Sequence, residues 1–131
     1  MINKLNIILY VKDQSRSTSF YKNILAIEPR LNVPGMTEFE LSNGTVLGLM
    51  PGSGIKKWLG EKIEDPDKLN GTPRAELYLL VDEPQNFFDR ALQHGAKELS
   101  RLQPRDWGDE AAYCSDPDDY IIAFAKKIRS T

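Results

Sequence analysis

Three features of the sequence predict an α+β fold made of two βαβββ modules. The apolar strand Ile8-Leu9-Tyr10-Val11 recurs in the second half as Tyr78-Leu79-Leu80-Val81. Each copy is followed by an aromatic pair at helical spacing, Phe20-Tyr21 and then Phe87-Phe88. Asn43-Gly44 stands between two alternating runs, a hairpin pattern, because both central residues of a type I′ turn need positive φ. A half-size module cannot bury a sheet face alone. The repeat therefore implies that the two combine into one curved, mixed, mostly antiparallel sheet, with helices outside and a cleft inside.

Leu5 to Val11 is apolar and rich in β-branched residues, as a well-covered strand should be. Asp13 can cap the helix that follows, along which Ser17, Phe20, Tyr21, Ile24 and Leu25 recur at three- and four-residue intervals up to Pro29. Strands are expected at Ile27 to Asn32, Met36 to Leu41 and Thr45 to Met50, the first two separated by a Pro34-Gly35 turn. Residues 51–73 carry three prolines and four glycines and read as a linker with one short helix near Ile55 to Leu59. Ala75 to Val81 repeats the first strand. Asp82 and Gln85 have capping-box spacing ahead of Phe87, Phe88, Ala91 and Leu92, and Gly95 sits where a helix ends. Lys97 to Leu102, Ala111 to Ser115 and Tyr120 to Lys126 complete the unit, with turns at Pro104-Arg105 and Asp116 to Asp119. The expected organisation is a single domain over residues 1–131: module 1 at 1–50, a linker at 51–73 and module 2 at 74–131.

Seventeen basic and nineteen acidic residues give a net charge of −2. No like-charge run reaches five residues, which argues against a nucleic-acid partner. No segment approaches the ~20 apolar residues of a membrane span, and the first residues lack a signal peptide's apolar core, so a cytoplasmic protein is expected. Cys114 is the one cysteine. It excludes a disulfide framework and fits a reducing compartment.

The strand Leu5 to Val11 with Lys12-Asp13, the helix residues Ser17, Phe20, Tyr21 and Leu25, the strand end Leu47-Gly48-Leu49-Met50-Pro51 and the closing Asp116-Pro117-Asp118-Asp119-Tyr120-Ile121-Ile122-Ala123-Phe124 together resemble the vicinal oxygen chelate superfamily. That superfamily includes glyoxalases, extradiol dioxygenases and bleomycin-resistance proteins. Its metal-dependent members carry four inward ligands, whose positions correspond by this resemblance to Asn6, Leu47, Glu76 and Ala123. Leucine and alanine cannot coordinate a cation and Asn6 offers a weak neutral oxygen, so no metal site and no cofactor are expected. Asp119 replaces the glycine usual in the family's Asp-Pro-Asp-Gly turn, and Ala26 the glycine usual after its first helix. The resemblance also implies a homodimer.

Strand parity places Asn6, Ile8, Glu38, Glu40, Leu47, Leu49, Glu76, Tyr78, Leu80 and Ala123 in the cleft and the alternate residues under the helices. One reading is a module that sequesters a bulky, cationic small molecule without chemistry. It would do so on Trp58, Tyr78, Trp107 and Tyr113 as stacking surfaces, with Glu76 as counter-charge. The other is a lyase, isomerase or dioxygenase, metal-dependent or using Glu76 as general base. Plainer roles compete: Glu38 and Glu40 as solvated strand residues, Glu76 in a salt bridge, Trp107 covering a sheet edge and Trp58 in subunit packing. His94 suits the helix dipole where it stands, and Cys114 reads as a buried strand residue rather than a nucleophile.

Overall fold

The computed structural model describes residues 1–68 and 71–128. The first module begins with β1 (Asn6–Val11) and α1 (Gln14–Leu25). The Asp13 carboxylate accepts the Arg16 N–H at 3.0 Å, the cap its position predicts. Ala26 closes the helix in the left-handed region (φ 57°), its N–H donating to the Lys22 carbonyl.

Then come β2 (Leu31–Val33), β3 (Met36–Glu40) and β4 (Val46–Pro51). The strand expected from Ile27 starts only at Leu31, since Pro29 has no N–H for a ladder. Asn43 and Gly44 both adopt positive φ (58° and 75°) and Thr45 N–H donates to the Ser42 carbonyl, so β3 and β4 are joined as the Asn-Gly pair predicts. β1 runs parallel to β4, and β4, β3 and β2 are antiparallel in turn, giving the order β1-β4-β3-β2.

The glycine- and proline-rich stretch is more ordered than its composition suggests. α2 (Gly52–Leu59) begins three residues before the expected helix and packs against β4 and β1. Lys56 Nζ donates to the Gly60 and Ile63 carbonyls at 2.8 and 2.7 Å, fixing the turns that follow. Gly52 lets the chain pass close to Asp67, whose carboxylate would have to move to admit a Cβ there.

The second module repeats the pattern as β5 (Glu76–Leu80), α3 (Pro84–Gln93), β6 (Lys97–Pro104), β7 (Asp109–Ser115) and β8 (Ile121–Lys127), in the order β5-β8-β7-β6. The Asp82–Gln85 capping box does not form. Pro84, with its fixed φ, takes the first helical position, so Glu83 becomes the N-cap without a side-chain bond, and Gln85 reaches forward to Asp89 instead. At the other end Ala96 N–H donates to the Ala91 carbonyl and Gly95 N–H to that of Leu92, a Schellman closure with Gly95 at φ 101°. The chain divides into two units, residues 1–22 with 26–70, and residues 71–131 with 23–25 from the end of α1.

Each module has its own buried layer. Leu9, Val11, Phe39, Leu47 and Leu49 are buried in the first, and Phe88, Ala91, Ile122 and Phe124 in the second, where the Phe87 and Phe124 rings lie 5.6 Å apart. Thr18 and Thr37 share a buried hydrogen bond of 2.8 Å that ties α1 to β3.

Candidate functional site

Residues paired across a ladder point to the same side, so the register sorts the faces. In module 1, Ile7 pairs with Leu47, Leu9 with Leu49, and those two with Phe39 and Thr37. Thr37 carries the bonds to α1, so this is the helix side. Leu47 and Leu49 therefore stand under the helix, Leu47 at 1% exposure, and not beside Asn6 and Ile8 as parity alone suggested. The parity count went wrong because it was carried through the hairpin without the register. The helix-free face instead holds Asn6, Ile8 and Tyr10, with Val46, Gly48 and Met50 from β4, and Glu38 and Glu40 from β3. A Cβ on Gly48 would lie 3.2 Å from Ile8 and 3.3 Å from the Met36 sulfur, so that face is closely packed there. Glu38 is held by Arg30 at 2.9 Å, while Glu40 is exposed at the end of β3.

In module 2 the same logic puts Glu76, Tyr78 and Leu80 on one face with Ile121, Ala123 and Ala125 of β8, then Asp109, Ala111 and Tyr113 of β7. Leu77, Leu79, Ile122 and Phe124 take the other face, toward α3. Ala123 is fully buried beside Tyr78 and Tyr113. Glu76 and Leu80 are exposed.

The polar cluster of this face is built on Tyr78. Its hydroxyl donates to Asp109 Oδ2 at 2.6 Å and accepts the indole N–H of Trp107 at 2.9 Å. Trp107 lies in the turn between β6 and β7 and is 56% exposed. Desolvation, and then the hydrogen bond to Asp109, raises the Tyr78 pKa above its ordinary value. Tyr113 is raised as well, by desolvation and then by the negative charge of Glu76. The Arg105 guanidinium lies 5.1 Å from the Tyr113 ring centre and donates to the Ala111 and Arg101 carbonyls and to Ser100 Oγ. One face of Tyr113 is thereby already covered.

Thus Glu76, Tyr78, Tyr113 and Ala123 share a face of module 2, to which Trp107 is tied through Tyr78. Asn6, Ile8 and Glu40 share the helix-free face of module 1, and Trp58 stands on α2 at 80% exposure. Asp109 and Arg105 were not foreseen. Alternation back along β7 from Tyr113 would have pointed to Asp109, but the strand had been expected to begin only at Ala111.

The one histidine, His94, donates through Nδ1 to the Arg90 carbonyl at the end of α3. Cys114 is fully buried, and burial followed by the nearby Asp116 charge pushes its thiol pKa up to about 12, so it is not a nucleophile at neutral pH. Among the described residues no three His, Cys, Asp or Glu side chains gather as a metal-binding group. At the family's ligand positions, Asn6 is flanked on β4 by Val46 and Gly48, and Glu76 on β8 by Ile121 and Ala123. These neighbours do not supply the donors that a divalent ion needs. Among the same residues, no helix is long and apolar enough to cross a membrane.

Two βαβββ modules, each with its first strand parallel to its last, are the architecture of the vicinal oxygen chelate superfamily. Residues 4–129 match the family described as glyoxalase-like domain, and the chain belongs to that family. No curated protein sequence matches it. Among solved structures, a glyoxalase-related enzyme from Fulvimarina pelagi is 21% identical, with a TM-score of 0.82 over 97% of this chain and 89% of that one. A glyoxalase/bleomycin resistance protein/dioxygenase family enzyme from Burkholderia phytofirmans is 11% identical, with a TM-score of 0.80 over 94% and 97%. An Agrobacterium tumefaciens protein solved by NMR is 24% identical, with a TM-score of 0.77 over 98% and 100%. These likenesses concern the fold.

Proposed function

We propose that the protein binds or sequesters a small molecule without a metal ion, on the helix-free face of its second module. The observation that carries this reading is the Trp107–Tyr78–Asp109 cluster, an ordered aromatic and carboxylate group beside the exposed Glu76. The absence of further donors on β4 beside Asn6 and on β8 beside Glu76 supports the metal-free part. The ligand proposed is bulky and cationic, with Glu76 and Asp109 as counter-charges, and sequestration of such a compound would confer resistance to it. We also place the protein in the cytoplasm as a homodimer, on the family resemblance and the sequence.

A general base at Glu76 is less well supported, because its carboxylate stands exposed with nothing enclosing it to keep water from a reacting group. Protein purified without chelator should contain well under one equivalent of zinc, nickel, manganese or iron. In a thermal-shift screen, cationic glycopeptides should raise the melting temperature, whereas simple aldehydes and thiohemiacetals should not. Stoichiometric metal, or stabilisation by the second group alone, would overturn the proposal.

A further inference from the structure

Trp107 is more than half exposed, yet its side chain is tethered. An indole has a single polar group, a donor N–H, and here that group is used internally on Tyr78. The Tyr78 proton is committed to Asp109 at 2.6 Å, so the hydroxyl meets the indole with a lone pair. The chain of bonds therefore has one direction, Trp107 to Tyr78 to Asp109, and each bond polarises the next. With its N–H occupied, Trp107 presents only ring surface. Trp58, more exposed still, has no hydrogen bond to its indole from the described residues. Tyr113 has a guanidinium over its ring. Trp107 is thus the aromatic plate of this face that is both open and fixed.

We infer that Tyr78 is a positioning residue: its hydroxyl, oriented by Asp109, holds the Trp107 indole as a preorganised plate for a flat, π-rich ligand such as a heteroaromatic ring system. This rests on the small-molecule reading above only for what the plate receives. Charge is secondary to flatness, because Arg105 and Lys127 share the neighbourhood with Asp109 and Glu76. Fixing the ring beforehand removes an ordering cost that a free exposed tryptophan would incur on binding.

The tether can be tested without any ligand. With Trp58→Phe as background, Trp107 is the sole tryptophan and its fluorescence anisotropy decay reports its own motion. The indole should tumble with the whole protein, and Tyr78→Phe should add a fast nanosecond depolarisation. Asp109→Asn, which still accepts the tyrosine proton, should restore most of the rigidity lost in Asp109→Ala. Tyr113→Phe, which leaves that chain of bonds intact, should leave the anisotropy decay of the free protein unchanged. Ethidium as a flat probe should quench the indole, with affinity falling roughly three- to tenfold in Tyr78→Phe. Tetrabutylammonium, a cation without a flat face, should bind at least tenfold more weakly than ethidium.

Unchanged anisotropy in Tyr78→Phe would overturn the positioning role, whatever binds. A mobile indole with undiminished ethidium affinity, or a rigid wild-type indole that ethidium does not quench, would overturn the plate. Equal binding of the two probes would overturn the preference for flat ligands. If every probe and every compound of the screen failed while the anisotropy behaved as stated, the binding reading would fall and the tether would stand.

Discussion

Ala26 shows how one residue can depart from its backbone's preference. It ends α1 at φ 57° and ψ 39°, a region that crowds a Cβ against the carbonyl. Ala26→Gly should relieve about 1 kcal/mol and raise the melting temperature by a few degrees, measurable by calorimetry. The sequence already marked this position, because relatives have glycine there. Asp119 is a parallel case at φ 69°, but its turn is reinforced by the Asp116 carboxylate, which accepts the Asp118 and Tyr120 N–H groups at 2.8 and 2.9 Å. Cys114 makes a prediction about pH. Its thiol titrates near 12 in the folded chain and near 9 when solvated, so the folded state holds its proton more tightly. Its contribution to stability is therefore complete below pH 9 and is lost as pH rises toward 12. Urea midpoints compared at pH 8 and pH 10 should fall less in Cys114→Ala than in the wild type.

At the level of elements, the sequence was read well wherever a local rule acts alone. The Asp13 cap, the Asn43-Gly44 turn and the Gly95 closure each depend on residues close in sequence. The capping box before α3 failed because two local rules competed and proline won. Glu83 is consequently an N-cap with no side-chain bond, and Glu83→Ser should gain about 1 kcal/mol in chemical denaturation. Gly44→Ala should cost about as much, by forcing a Cβ into the positive-φ half of a type I′ turn. In the stretch between the modules the short helix was expected, but its earlier start and the turns after it were not. Low hydrophobicity in residues 51–68 conceals side-chain to carbonyl bonds such as those of Lys56, which composition does not register.

At the scale of the molecule, the repeat pointed to the two modules and the motifs along them to the family, while the candidate site was only half legible. Alternation put Glu76, Tyr78 and Ala123 on one face, where the regular pairing of β5 with β8 also has them. It lost Leu47 and Leu49, because faces in module 1 depend on how β4 registers against β1, a long-range choice. Asp109 was hidden by the length of β7. The assembly proposed here is a homodimer, so sedimentation equilibrium should give twice the 14.9 kDa chain mass, and a persistent monomer would refute it.

A single thiol sealed inside β7 also supplies a stopwatch. A maleimide added to native protein cannot reach Cys114 until that strand leaves its neighbours, so the appearance of a single mass adduct times the opening of the second module. A compound that lengthens the delay acts by holding the native form together, and can be recognised before its binding site is known.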